Sequence, residues 1–351
     1  MSEPLLLLGA GSAAGAEAHL AGIAAAHPVI LVDAAAPAWA RAHLVKHIAA
    51  DLAHPSAVAD AVGEYIARHD VRGVLSYVPE HLVTAARIAG RFRLPAAPAA
   101  SLAVLGDRAA LRRTLADVPG AGGLLAEEHL DGPAVSAETV VLPDGEIRVA
   151  ALTRTAFGPP GSREATRHCV YAHDGLLHNP VIRQTVHRVV RAIDISFGVL
   201  RIGMKLTRLG PRITAVQAHL ADDLIPLLVK RATGIDLPRT AAALAVGRTP
   251  DLTPVRQRAA AVHFAYPAVS GRIEHLEVAP EAACEPQLER MVLLQRPGND
   301  VRAFPDATRE DRLACWIALG PDAQDCHAAL DAAAKHLGVA IAAPTLSDRA
   351  A

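Results

Sequence analysis

The sequence predicts an α/β protein: a Rossmann-like N-terminal domain, an α+β core and a β-rich C-terminal domain. Three observations lead there. The aliphatic run Leu5–Leu8 stops at Gly9-Ala10-Gly11 and gives way to a helical stretch, as a buried parallel strand does. Strand-like and helix-like segments then alternate, which is the signature of a doubly wound sheet. After the turn-rich segment Val118-Pro-Gly-Ala-Gly-Gly123 the texture changes to paired β-rich runs. The expected domains cover residues 1–118, 119–250 and 251–340.

In order, the strand 5–8 leads to a helix over 13–26, and Pro28 restarts the chain into a strand over 29–32 that ends at Asp33. A helix over 57–69, a strand over 73–76 and helices over 80–92 and 107–115 complete the first domain. Next come two β-rich runs, 135–141 and 147–153, joined at Pro143-Asp144-Gly145, a hairpin turn. A helix over 180–193 follows, then a second strand pair, 197–206 and 213–218, turning at Leu209-Gly-Pro-Arg212. Helices are expected over 224–234 and 237–246. Short strands over 261–266, 272–278, 291–295 and 314–319 lead to a closing helix over 323–336.

Apolar residues make up 51% of the 351, so core material is ample, but aromatics are only 3%, so that core is aliphatic and alanine-rich. Lys and Arg number 35 against 36 Asp and Glu, giving a net charge of −1, which argues against a nucleic-acid binder. Cys169, Cys284, Cys315 and Cys326 form no C-x-x-C pair, and the N-terminus has no basic segment ahead of its short apolar run. No apolar stretch is long enough to span a bilayer. The expected location is the cytoplasm, with no membrane partner.

Gly9-x-Gly11 with Gly15, followed by Asp33 at a strand end, mimics a dinucleotide fingerprint whose amides would face a pyrophosphate. The third glycine stands one residue too far along. Small residues that let the first helix pack close to the sheet explain the same pattern, and Asp33 reads equally as a ribose ligand or a solvated strand end.

A more specific signal lies in the order of segments. Gly73-Val-Leu-Ser76, Glu80, Ile88-Ala89-Gly90, Leu94-Pro95 and Asp107-Arg108 ahead of Leu111-Arg112-Arg113 follow one another. Glu127-Glu128-His129-Leu130-Asp131-Gly132, Ser136-Ala-Glu138, Gly210-Pro211-Arg212, Leu224-Ile225-Pro226 and Ala232-Thr233-Gly234-Ile235-Asp236 come after them. Taken together, nearly the whole chain resembles the ATP-grasp carboxylate–amine ligases, nearest the biotin carboxylase and amino-acid ligase branch. The resemblance implies MgATP held between two lobes, a carboxylate activated as an acyl phosphate, and attack by an amine. It assigns Glu127 and Glu128 to the nucleotide hinge and Arg108 to the phosphates, and it implies a homodimer.

The chain departs from that pattern in three places. The family's small lobe, with its lysine and glycine-rich flap, belongs between Arg113 and Glu127, where only Thr114 to Ala126 are available, and no lysine occurs between Lys46 and Lys205. Asp107-Arg108 stands where the family has Asp-Lys, a tolerable change because arginine also pairs with phosphate. Aligned through Gly210-Pro211, the family's first metal-site Glu falls at Gly203 and its Glu-x-Asn-x-Arg set at Ala215, Gln217 and His219, so that His219 replaces the arginine. No acidic residue lies between Gly198 and Ala221, whereas magnesium needs charged oxygens. The expectation is an ATP-grasp-like core lacking the small nucleotide lobe. In that reading the protein is an accessory or binding protein for a small molecule, beside an active ligase homologue, or an ATP-independent enzyme. The rival is a working amide-forming ligase.

The candidates for replacement chemistry are His168 and His219, expected to approach each other in the old cleft, and Glu138 with Arg154 on adjacent strands. His168, Cys169, His173 and His178 are expected in one loop, where with Asp174 they offer zinc-binding or acid–base types. A solvated surface loop accounts for them as well, and a cross-strand ion pair accounts for Glu138 and Arg154.

Overall fold

The computed structural model describes residues 3–121 and 130–342. The chain forms two compact units. The first comprises residues 1–152, 175–230 and 234–254, and the second residues 153–174, 231–233 and 255–351.

The first unit opens with a parallel sheet of order β3-β2-β1-β4, formed by β1 (Leu5–Leu8), β2 (Val29–Asp33), β3 (Leu44–Ala49) and β4 (Gly73–Leu75). Leu5 to Leu8 are all fully buried, and each leucine contributes about 2 kcal/mol by leaving water. This continuous burial is why β1 reads as an unbroken aliphatic run rather than an alternating one. Helices α1 (Ala13–Ala24), α2 (Pro55–Arg68) and α3 (Leu82–Arg91) connect and flank these strands. Val58, Val62 and Ile88 pack on Leu6, Leu8, Ile30 and Val32. Two short helices follow, α4 (Ala99–Gly106) and α5 (Arg108–Thr114). Asp107 caps α5 by accepting the N–H groups of Ala109 (2.8 Å) and Ala110 (3.1 Å).

The same unit then builds an antiparallel sheet of order β6-β5-β8-β9, from β5 (Ala134–Val141), β6 (Ile147–Phe157), β8 (Gly198–Thr207) and β9 (Gly210–Gln217). One face of it carries Val135, Ala137, Leu200 and Ile202 against Ile182, Val186 and Val189 of α6 (Pro180–Ala192). Helices α7 (Ile225–Thr233) and α8 (Leu237–Ala245) follow, and Gly73 lets β4 approach α8 closely.

In the second unit the end of β6 continues into β7 (Ala165–Tyr171), β10 (Ala259–Ala265), β14 (Ala314–Gly320) and β12 (Leu288–Leu293), in the order β6-β7-β10-β14-β12. Helix α9 (Ala323–Ala334) covers this sheet, with Cys326 and Leu330 packed on Cys169, Ala261 and Trp316. The Trp316 indole donates to the Leu330 carbonyl at 2.9 Å, satisfying its N–H inside the core. A small antiparallel sheet of β13 (Asp300–Val301), β11 (Gly271–Val278) and β15 (Leu337–Ala342) completes the unit. Among the described residues no helix is long and apolar enough to cross a membrane.

One expectation needs correction. His168 and Cys169 are not in a loop but on β7, paired with Val262 and Ala261 of β10. His173 lies in the turn beyond it, and His178 ends a separate 3-10 turn, Gly175–His178. Successive side chains of a strand point to opposite faces of the sheet, which separates residues that adjacency in sequence would cluster.

Candidate functional site

The carboxyl ends of β1, β2 and β4 gather the glycine loop, Asp33, Tyr77 and His81. Gly9 and Gly11 both adopt positive φ, +78° and +71°. A side chain at Gly9 would stand 2.6 Å from the His81 ring, so glycine here admits that ring against the backbone. The Asp33 carboxylate accepts the Ala10 N–H at 2.8 Å and the Ala34 N–H at 2.7 Å. The Tyr77 hydroxyl donates to the Ala10 carbonyl at 2.9 Å. Burial and the nearby Asp33 push that phenol well above its ordinary range. Asp33 therefore holds its own glycine loop in shape, a role the sequence reading did not weigh.

On the antiparallel sheet, strand register tests the alignment through Gly210-Pro211. Gly203 of β8 lies directly opposite Ala215 of β9, and Arg201 opposite Gln217. On the other side, Ser136 pairs with Gly203 and Glu138 with Arg201. Directly paired residues share a face, so Ser136, Glu138, Arg201, Gly203, Ala215 and Gln217 stand together. Glu138 is 1% exposed. Its carboxylate accepts the Ser136 hydroxyl at 2.8 Å and faces the Arg201 Nε at 3.8 Å, and the same Nε donates to Ser136 Oγ at 3.2 Å. A buried acid is thus engaged by a cation beside two positions that carry no oxygen ligand.

His219 follows β9 and is nine-tenths buried. Its Nδ1 donates to the Leu220 carbonyl at 2.8 Å. Nearby, His19 is buried, and desolvation lowers its pKa to about 4 against the opposing pull of Asp222.

Arg154, His168 and Cys169 lie in the second unit. The Arg154 guanidinium donates to both oxygens of Asp174, at 2.6 and 2.9 Å, and Asp174 is 3% exposed. Arg154 and Glu138 therefore each take a different partner. His168 is buried, with Nδ1 3.0 Å from the Thr155 hydroxyl and its ring edge-on to Phe264. Beside it, burial pushes the Cys169 thiol up to about 11, so at neutral pH it stays protonated and poorly suited to bind zinc. Among the described residues no group of three or more His, Cys, Asp or Glu side chains is placed to hold a metal ion. Arg108 is exposed on α5, and Glu127 and Glu128 lie outside the described residues.

A cluster that no local sequence pattern announces joins β7 to β10 and α9. Arg167 reaches His263 Nδ1 at 3.4 Å, His327 Nδ1 at 3.3 Å and the Asp331 carboxylate at 2.7 Å. Burial, then Arg167, lowers His263 to about 4. His19 and His263 thus stay neutral in the fold while the unfolded chain takes up protons below about pH 6.5, so stability falls as pH drops toward 4. Each contributes up to about 3 kcal/mol of that loss. Thermal melts between about pH 7 and 4.5 are expected to show the fall, with His263→Phe flattening it.

This architecture is that of the ATP-grasp ligases. It superposes on the crystal structure of an L-amino acid ligase from Bacillus licheniformis with a TM-score of 0.79 and 15% identity, covering 97% of this chain and 99% of that one. It also superposes on phosphoribosylglycinamide synthetase from Anaerococcus prevotii, with a TM-score of 0.77 and 14% identity over 97% and 100% of the two chains. N5-carboxyaminoimidazole ribonucleotide synthetase from Thermotoga maritima gives 0.68 at 12% identity, over 97% and 100%. More particularly, residues 263–342 match the family model for L-amino acid ligase C-terminal domain 2. The curated protein y4rH of Sinorhizobium fredii is 27% identical over 201 residues, covering 56% of this chain but only 40% of that protein. The chain spans about two fifths of that relative's length.

Proposed function

We propose that this ATP-grasp-fold chain has given up magnesium-dependent nucleotide chemistry and acts as a small-molecule binding or accessory protein. The observation that carries the reading is Gly203 opposite Ala215, at the positions where the resemblance calls for magnesium ligands. Magnesium demands several hard oxygen ligands, and the side chains of glycine and alanine supply none. The nearby acid, Glu138, is engaged by Arg201 and Ser136. The brevity of segment 115–133, between α5 and β5, supports the same conclusion, because no phosphate-covering lobe fits into it. An accessory role points to an active ligase homologue as partner in the cytoplasm, and absence of any co-purifying ligase would argue against it.

Calorimetric titration with ATP, with and without magnesium, tests the central claim. The expected result is no magnesium-dependent binding at millimolar ATP and no ADP at the end point. Magnesium-dependent binding with ADP release would overturn it.

The second reading is a working ligase that joins L-amino acids. It is favoured by the match of residues 263–342 to the L-amino acid ligase domain. Phosphate release from MgATP that requires added L-amino acids would establish it. No release with any amino acid pair would leave it without support.

A further inference from the structure

The first unit encloses a cavity of about 100 Å³ that the ligase comparison does not assign. Its walls are apolar and short. Ala85 and Ala86 of α3 and Ala241 and Ala245 of α8 face a space that larger side chains would fill. Its floor at Val74, Leu200 and Leu220 is buried, whereas Ala96, Ala97 and Phe197 are half-exposed and mark its mouth.

Two of the lining side chains carry polar atoms, Ser76 and His219. Ser76 is fully engaged: its hydroxyl donates to the Leu8 carbonyl at 2.8 Å and accepts the Val78 N–H at 3.0 Å. His219 is not. Its Nδ1 bonds a carbonyl, which only accepts, so Nδ1 carries a proton, and in the tautomer this selects Nε2 is the acceptor. A nine-tenths buried imidazole thus offers one acceptor beside an otherwise apolar space.

We infer that this cavity is a binding site for a neutral, ring-sized apolar group bearing one hydrogen-bond donor, an aromatic hydroxyl or ring N–H, received by His219 Nε2. An apolar cavity of about 150 Å³ takes up a benzene ring, and the open mouth here adds room to the about 100 Å³ inside. The apolar walls disfavour a charged group, and a donor-free hydrocarbon leaves Nε2 without a partner. The site involves neither ATP nor magnesium, so it stands or falls apart from the nucleotide reading.

The probes are phenol and toluene, which share a shape and differ in the donor. Calorimetry on the whole chain is expected to show saturable phenol binding that Ala245→Leu abolishes by filling the space. His219→Leu is expected to weaken phenol about fivefold, the equivalent of one net hydrogen bond, while leaving toluene unchanged. A measurement on the unaltered protein covers the case of a variant that does not fold. The His219 Nε2 nitrogen resonance is expected to shift with phenol and to stay put with toluene. No saturable phenol binding at millimolar concentration, equal losses for both probes, undiminished phenol binding by Ala245→Leu, or a resonance unmoved by phenol would each overturn the assignment.

Discussion

Arg201→Ala is expected to lower the unfolding free energy by about 3 kcal/mol, because it removes a cation that faces the buried Glu138 carboxylate and donates to its Ser136 partner. The geometry sets the size of the effect. Glu138 is 1% exposed, and Arg201 contacts both its carboxylate and the Ser136 hydroxyl that donates to it. Removing one partner of a buried pair costs far more than removing both, so Glu138→Gln combined with Arg201→Met is expected to recover most of the loss. Chemical denaturation of the three proteins checks this. A double variant no more stable than Arg201→Ala would refute the claim that the weakened charge pair causes the damage. The result also bears on function, since an acid locked into the fold in this way is a poor magnesium ligand.

Gly73→Ala is expected to cost at least about 3 kcal/mol, for a different reason. A methyl group on Gly73 would run into the backbone carbonyl of Ala245, on α8. No side-chain rotation relieves a clash between a Cβ and a backbone carbonyl, so β4 or α8 must move. Ala245 and Val74 both line the apolar cavity, so the same displacement should deform it. The expected outcome is a lower melting temperature together with weakened phenol binding. Unchanged stability would refute the close approach of β4 to α8.

The elements that were legible from sequence are those whose physics is local. Leu5–Leu8 and Val29–Asp33 stand out because strands buried on both faces are unbroken aliphatic runs. The hairpin between β5 and β6 shows at Pro143-Asp144-Gly145, whereas the second hairpin turns at Arg208-Leu209, just ahead of Gly210-Pro211, and the bulge beside Gly203 that sets it opposite Ala215 leaves no mark in the sequence. The strand β7 was not legible. Its sequence, Ala165-Thr-Arg-His-Cys-Val-Tyr171, looks like a polar loop because its polar side chains find partners far along the chain. Arg167 meets Asp331, and His168 meets Thr155. No local pattern announces a buried polar residue whose partner lies so far along the chain. The strand β3, Leu44–Ala49, carries Lys46 and His47, and β15, Leu337–Ala342, is short and glycine-containing, so both were missed for want of an apolar alternation. The candidate residues were found as types, but their partners were not. Glu138 takes Arg201 and Arg154 takes Asp174, a choice made by strand register and packing.

The bond from Asp33 to the glycine loop has a competitive meaning. A phosphate seeking the Ala10 amide would find it occupied by a carboxylate fixed to the same chain, at an effective concentration that free ligands do not approach. The loop in effect carries its own permanent inhibitor. An anion gains access only by displacing Asp33, whereas a neutral guest asks nothing of that amide, so the resting loop discriminates by charge before any ligand arrives.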